Sequence, residues 1–435
     1  MNANEKNNSE IVIGTRSAFG GGMAAALILV TLLFAWFSIR WQLGNMIGSL
    51  TPANDPRAAE AADAAVSLAP GDPMANWLAA SKAKDDLTTQ GQARSVDAFR
   101  QVVSLSPYDF RWWIELGRAC EQAEVQTCAE SALKRAVELA PSYTYPHWQL
   151  GNYYLRQGRT DDAIAELKKA TEQSIDYREQ VFSLAWDYFD KDPKMVEALA
   201  ADRPDVKATL ASFFARRGQA EAALRVWNSL SDEQKAPHAQ IARDIAQGLF
   251  DRKYYREALA FAKQTGMDPD ARFETISNGG FETLVAGADA ALFQWRINRS
   301  EGRADAMPDS TVKTEGNRSL KIAFKGYTRP DLYTLAQIVA VQPGARYRLS
   351  FKLRTDNLKS AGPPLIKVTS GLENTIVAAT APFATGSADW KEISLEFTVP
   401  DTADGIEIFT SRALCAEECP ITGTIWYDDF QLSRL

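Results

Sequence analysis

Chemistry in this chain would have to rest on very few of the usual side chains. Its 435 residues include two histidines, His147 and His238, both in helical context. That removes most histidine proton transfer and most histidine metal sites. The sequence offers no Ser/His/Asp set, no Gly-rich phosphate loop and no metal cluster. Glycoside hydrolysis needs two carboxylates facing a cleft. Acids are plentiful, but no stretch has the make-up of a hydrolase catalytic domain. The four cysteines form two local pairs, Cys120 with Cys128 and Cys415 with Cys419. A Cys-x3-Cys pair with no further Cys or His nearby is poor for zinc. Both pairs read as disulfides in an exported protein, Cys120 and Cys128 alternatively as buried thiols packing as small apolar groups. The expectation is a binding protein, not an enzyme, with no cofactor required.

Charge narrows the partners. Net charge is −7 and the isoelectric point is near 5.2, with no basic patch of the kind phosphates need. Nucleic acid is therefore disfavoured.

The binding elements are placed by the first forty residues. Residues 1–16 are polar, and 17–39 carry no charge over 23 positions. Roughly 20 apolar residues cross a bilayer as a helix. Trp36 and Trp41 flank Arg40, where interfacial aromatics belong. Residues 17–41 read as a transmembrane signal anchor. A cleaved signal peptide is the alternative, but the run is long for one and no small-x-small site follows promptly. Lys6 and Arg16 before the span give a slight positive-inside bias. With the paired cysteines, this predicts a cytoplasmic tail over 1–16, one pass through the inner membrane, and a periplasmic bulk.

Residues 52–266 read as an α-solenoid. Pro107 and Pro141 lie 34 positions apart, and the same step carries Leu116 to Leu150, Gly117 to Gly151, Ala129 to Ala163, Leu133 to Leu167 and Ala136 to Ala170. Small residues recurring at one period mark close helix crossings, and large ones fill the gaps. Residues 148–158 and 161–170 resemble the two helices of a tetratricopeptide repeat. Residues 55–69 read as the second helix of an incomplete opening repeat, and the period degrades past Ser174. The resemblance implies a concave groove lined by first helices. It assigns Tyr145, Trp148, Asn152 and Arg156 in one repeat, and Arg111, Ile114, Arg118 and Gln122 in the one before. Taken singly, each reads as part of a solvated helical face. Together they suggest a surface for a protein partner.

From about 272 to 435 short strands take over. Tyr347, Leu349, Phe351 and Leu353 alternate with Arg346, Arg348, Ser350 and Lys352, and Ile393, Leu395, Phe397 and Val399 repeat the pattern. This predicts an antiparallel β-sandwich. Asn278-Gly-Gly-Phe-Glu282, Trp295, residues 317–322, residues 337–344, Asp389-Trp-Lys391 and Asp428-Asp-Phe-Gln-Leu432 follow in order. The series resembles carbohydrate-binding modules of the family 4/9 type, a galactose-binding-like jelly roll. The resemblance implies a structural calcium near Glu282 with Asp428 or Asp429, hard oxygen ligands that suit this ion. Otherwise these acids cap strand ends or pair with Lys and Arg. It also implies sugar stacking on exposed aromatics, with Trp295, Tyr327, Tyr333 and Trp390 as the platform set. Trp426 falls within the last strand, and most aromatics of a small sandwich are core.

The sequence as a whole reads as a membrane-anchored scaffold of a bacterial cell envelope. The helical groove would hold a protein, and the sandwich a glycan or protein, in assembly or export of a surface polysaccharide. The alternative is an interaction scaffold or chaperone subunit of a membrane or secretion complex, with no sugar binding.

Overall fold

The computed structural model describes residues 18–283, 291–297, 304–327 and 335–435. The chain forms two compact units, Met1–Tyr177 and Arg178–Leu435.

The first unit holds α1 (Ala18–Leu50), α2 (Ala58–Leu68), α3 (Pro73–Ala83), α4 (Thr89–Leu105), α5 (Phe110–Gln122), α6 (Gln126–Leu139), α7 (Thr144–Arg156), α8 (Thr160–Gln173) and the start of α9 (Ile175–Tyr188). From α2 to α8 these are short helices joined by tight turns, each packed on the next. Starts are chemically specified. Asp72 accepts the Ala75 N–H at 2.9 Å, Thr88 that of Gly91 at 3.0 Å and Asp109 that of Arg111 at 3.0 Å. Each meets a donor that a helix leaves unpaired at its N-terminus.

The 34-residue period has a direct cause. A Cβ on Gly117 would fall 2.7 Å from Leu133 Cγ, and one on Gly151 would fall 2.6 Å from Leu167 Cγ. Each glycine lets a leucine of the partner helix lie against bare backbone. Cys120 and Cys128 are bonded across the α5–α6 hairpin, with Cα atoms 5.7 Å apart.

The opening repeat is complete, contrary to expectation. Its first helix is the second half of α1, one unbroken helix of 33 residues. Residues 27–39 expose their large apolar side chains, whereas Gly44 and Gly48 are buried. A Cβ on Gly44 would meet Ala69 Cβ at 2.5 Å, and one on Gly48 the Met74 carbonyl at 2.8 Å. Arg40 donates to the Ser67 carbonyl and Asn45 to Asp72, both at 2.9 Å. The apolar segment thus feeds into the array with no linker.

The second unit holds the rest of α9, then α10 (Pro193–Ala198), α11 (Pro204–Arg216), α12 (Ala220–Asn228), α13 (Asp232–Lys235), α14 (Ala239–Asp251) and α15 (Tyr255–Gln264). Among the described residues ten strands follow: β1 (Arg296–Ile297), β2 (Ala304–Asp309), β3 (Ser319–Tyr327), β4 (Leu335–Ala340), β5 (Arg346–Ser360), β6 (Pro364–Ser370), β7 (Ile376–Ala379), β8 (Gly386–Thr398), β9 (Gly405–Arg412) and β10 (Ile421–Arg434). They form two antiparallel sheets of order β1-β4-β9-β6-β7 and β2-β3-β10-β5-β8, the expected sandwich. Tyr347, Leu349, Phe351 and Leu353 point into the core as the alternation requires. Ile393 and Leu395 are only half-buried, because β8 is the edge of its sheet. The core centres on Phe430, with Phe351 stacked on it at 4.7 Å and Trp295 edge-on at 5.0 Å.

Within the second unit the last helical pair is seated on the sandwich. The Tyr255 ring lies on Gly371 and Gly405, where a Cβ would come within 2.5 and 2.3 Å of it. Its hydroxyl donates to the Gly371 carbonyl at 3.2 Å. Burial, with Glu407 and Asp404 nearby, pushes this phenol up to about 12. The Arg256 N–H donates to Asp404 at 3.0 Å, and Phe250 packs edge-on against Phe293 at 5.3 Å.

Gly44→Leu should destabilise the first repeat by roughly 1–3 kcal/mol, the usual cost of overpacking. Gly22→Leu, in a position with open space around it, should leave it unchanged. Thermal unfolding of the two full-length variants checks this, and equal midpoints would refute the packing role of Gly44.

Candidate functional site

The first helices of successive repeats bring their aromatics side by side. Trp77 of α3 and Trp112 of α5 have ring centroids 6.4 Å apart, and Trp148 of α7 meets Tyr177 of α9 edge-on at 6.0 Å. Tyr145 and Trp148 are half-buried there. The charged residues expected in the groove are engaged within the array. Arg156 forms a two-pronged pair with Glu121 of the preceding first helix, at 2.6 and 2.8 Å. Arg118 pairs with Glu115 at 3.0 Å. Arg111 pairs with Asp109 at 2.5 Å, and its guanidinium lies 5.4 Å from the Trp112 ring centre. Asn152 donates to the Trp148 carbonyl, and Gln122 to that of Lys84. Ile114 is buried and cannot line a groove. An incoming peptide would therefore meet aromatic edges flanked by charges that must exchange partners.

Two acids that sequence reading passed over organise this unit. Glu166 faces buried His147, whose other ring nitrogen faces the Pro141 carbonyl at 2.9 Å. Hydrogen bonds from Lys134 and Arg159 outweigh burial at Glu130 and bring its carboxyl to about 2. Lys134 lies one turn along the same helix as Glu130, whereas the Arg159–Glu130 and His147–Glu166 contacts join different elements, information that a one-dimensional period does not carry.

In the sandwich, Trp295 must be withdrawn as a sugar platform. It is 1 % exposed and packs between Phe281 and Phe430, because its position faces the core. Tyr333 lies outside the described residues, as does the side chain of Tyr327. Trp390 is half-buried on β8. Beside that strand a cleft of about 510 Å³ opens, mostly apolar, with Phe383 and Leu395 in its lining and Asp389, Lys391 and Glu392 among its polar groups, and without Trp390. Trp426 is nearly buried on the outer face of its sheet. Lys321 and Arg354 lie over it at 5.5 and 5.9 Å, and its indole N–H donates to Asp309 at 2.9 Å.

The other sheet has an outer face that sequence reading did not single out. Register aligns Arg296, Ala336, Phe409, Lys367 and Ala379 in one row, and Ile338, Glu407 and Thr369 in the next. The signal was available in β9, where Glu407 and Phe409 alternate with core-facing Ile406 and Ile408.

The three acids expected near a calcium do not form a cation cage. Glu282 accepts N–H bonds from Asn317 at 2.8 Å and Arg318 at 3.3 Å. Asp428 accepts from the Thr314 N–H and hydroxyl at 2.8 and 2.7 Å and from the Asp429 N–H at 2.9 Å. Asp429 turns to Lys352 and Gln431. Calcium wants six to eight oxygens, and among the described residues no group of three or more acids, histidines or cysteines is placed to hold a metal. Here the carboxylates already act as acceptors for loop N–H groups. In the loop before β10, Cys415 and Cys419 are bonded, with Gly362 directly behind both sulfurs.

Residues 274–412 match the family model of a carbohydrate binding domain, type 4/9. The match spans 139 of the 435 residues and covers most of the sandwich. This carbohydrate-binding-type domain is similar to a solved structure titled "CBM4 structure and function", at 21% identity over 37% of this chain and 99% of that one, with a TM-score of 0.28. The helical region is similar to YrrB, described as a TPR protein with an unusual peptide-binding site, at 19% identity over 46% of this chain and 90% of that one, TM-score 0.29. It is also similar to MamA from Desulfovibrio magneticus RS-1, at 24% identity over 32% and 75%, TM-score 0.26. No curated protein matches the chain. The chain joins an array of paired helices to a domain of carbohydrate-binding type over residues 274–412.

Two outcomes follow from the carboxylates. A calcium chelator should leave the melting midpoint of the full chain unchanged, and a fall would restore the metal. Burial raises the Asp309 carboxyl, but hydrogen bonds from Thr311, Trp426 and the Val312 N–H outweigh it and bring it from 3.8 to about 2. The folded state thus binds this proton less readily than the unfolded one, and the stability it contributes is lost as pH falls through that window. Asp309→Asn should be less stable than the parent above 3.8, with the difference vanishing near 2. Denaturant titrations across that range test the convergence.

Proposed function

We propose that the protein is a non-catalytic scaffold anchored in the inner membrane of a bacterial cell envelope, with its bulk on the periplasmic side. Its helical groove, around Tyr145, Trp148, Asn152 and Arg156 with Arg111 and Arg118, holds a protein partner. Its sandwich binds a glycan, and the process served is assembly or export of a surface polysaccharide. The observation that carries this reading is the family match over 274–412, with Trp390 half-buried on the edge strand β8 as the aromatic a sugar could reach. The uncharged first half of α1 supports the anchor. The bonded cysteine pairs support an oxidising compartment.

A second reading drops the sugar and keeps the scaffold. Two observations favour it: Trp295 is in the core, and one sheet end is occupied by Tyr255. The test needs the full chain, because α15 is part of the sandwich's packing. In detergent or nanodiscs it should be retained by a polysaccharide on a glycan array. Trp390→Ala should weaken that retention about tenfold, the equivalent of one aromatic contact of roughly 1.4 kcal/mol. Retention by no polysaccharide, with capture of one membrane protein, would select the second reading.

A further inference from the structure

The first unit has two edges, and only one of them shares the level at which α1 leaves its uncharged run. Helices α3, α5 and α7 run in the same direction as α1. Their last turns lie together, since Gln122 reaches the Lys84 carbonyl and Arg156 reaches Glu121. Their first turns lie together too, since Phe110 packs on Tyr143 at 5.4 Å. The turn between α2 and α3 sits beside the start of the packed half of α1. Arg40 meets Ser67, Trp41 covers Gly71, and Gly44 abuts Ala69. At 1.5 Å per residue, that turn is within about 8 Å of the end of the uncharged segment.

The chemistry of the two edges differs in the same sense. On the first-turn edge, Trp41, Tyr108, Tyr143 and Ile175 are exposed, Tyr108 at 83%. Asp72 and Asp109 there accept helix N–H bonds, Asp109 also pairing with Arg111, and Glu138, Glu172 and Asp176 stand exposed beside the aromatics. On the opposite edge, Leu87 and Val125 are also exposed, but they sit among Asp85, Asp86, Glu124, Arg159 and Asp162. Tyrosine and tryptophan, apolar in body and polar at the tip, favour the boundary between lipid and water. Clustered charges favour water.

We propose that the edge carrying Tyr108 and Tyr143 rests on the lipid headgroup layer, so that the first repeats lie along the bilayer surface. This rests on the reading of α1 as a membrane anchor. The occupant is the bilayer itself, because the edge is continuous with the helix that enters it.

The test uses the full chain in phosphatidylethanolamine/phosphatidylglycerol vesicles, with Tyr108→p-benzoylphenylalanine, Tyr143→p-benzoylphenylalanine or Val125→p-benzoylphenylalanine. After irradiation, mass spectrometry should find phospholipid adducts at 108 and 143 and their loss at 125. Absence of lipid adducts at 108 and 143, or protein adducts in their place, from a chain that stays in the membrane after alkaline carbonate overturns the edge proposal alone. Release of the chain by carbonate overturns the anchor reading and this proposal with it.

Discussion

The structure depends on one steric condition, that a large side chain or a whole helix can rest on backbone bearing no Cβ. Leu133 rests on Gly117 and Leu167 on Gly151 within hairpins. The α2–α3 corner rests on Gly44 and Gly48, and Tyr255 on Gly371 and Gly405. In each case the added methyl would fall inside contact distance of atoms that are themselves packed. Interiors are packed like crystals and yield little, so these glycines set where elements meet. The three uses differ in consequence. The first builds a repeat, the second attaches the array to the apolar helix, and the third seats the last helical pair on a sheet.

Charge plays a complementary part. On the helical faces nearly every arginine singled out as a ligand contact is answered by an acid of the array. Exposed pairs of this kind add little to stability, on the order of 0–1 kcal/mol, so Arg156 and Glu121 are not what holds the repeats together. Their effect is on recognition. A groove of pre-paired charges presents alternating donors and acceptors with little net field. If it binds a partner as proposed, shape and aromatic contact would count for more than long-range attraction.

How much of this was readable beforehand follows from what each signal encodes. Gly117 and Gly151 announced themselves because a repeat writes the same contact twice at a fixed step. Tyr347 to Leu353 announced a strand because burial on one face forces a period of two. Cys120/Cys128 and Cys415/Cys419 were close enough in sequence for proximity to imply contact. Gly44 and Gly48 were hidden, since they continue a helix whose first half obeys the rules of lipid, and nothing local marks where the environment changes. Trp295 misled because an ordered motif does not say which way a side chain faces. The seat of Tyr255 is a contact across more than a hundred residues with no repeat to echo it. Glu282 and Asp428 matched a location without revealing that loop N–H groups already occupy their oxygens.

The absence of a linker after Arg40 has a consequence for any scaffold role. Tethered modules gain affinity through effective concentration, which falls as the tether lengthens and loosens. Here the first repeat is the continuation of α1, so the connection adds no slack between the apolar helix and the groove of the first unit. Likewise α15 and the sandwich share a packed seat, so the sheet it rests on keeps a fixed orientation to α15. Rigid joints of this sort exchange reach for geometry. They favour a partner that is itself held in place, such as another membrane-bound chain or a polymer emerging at a defined point, over one captured at random from solution.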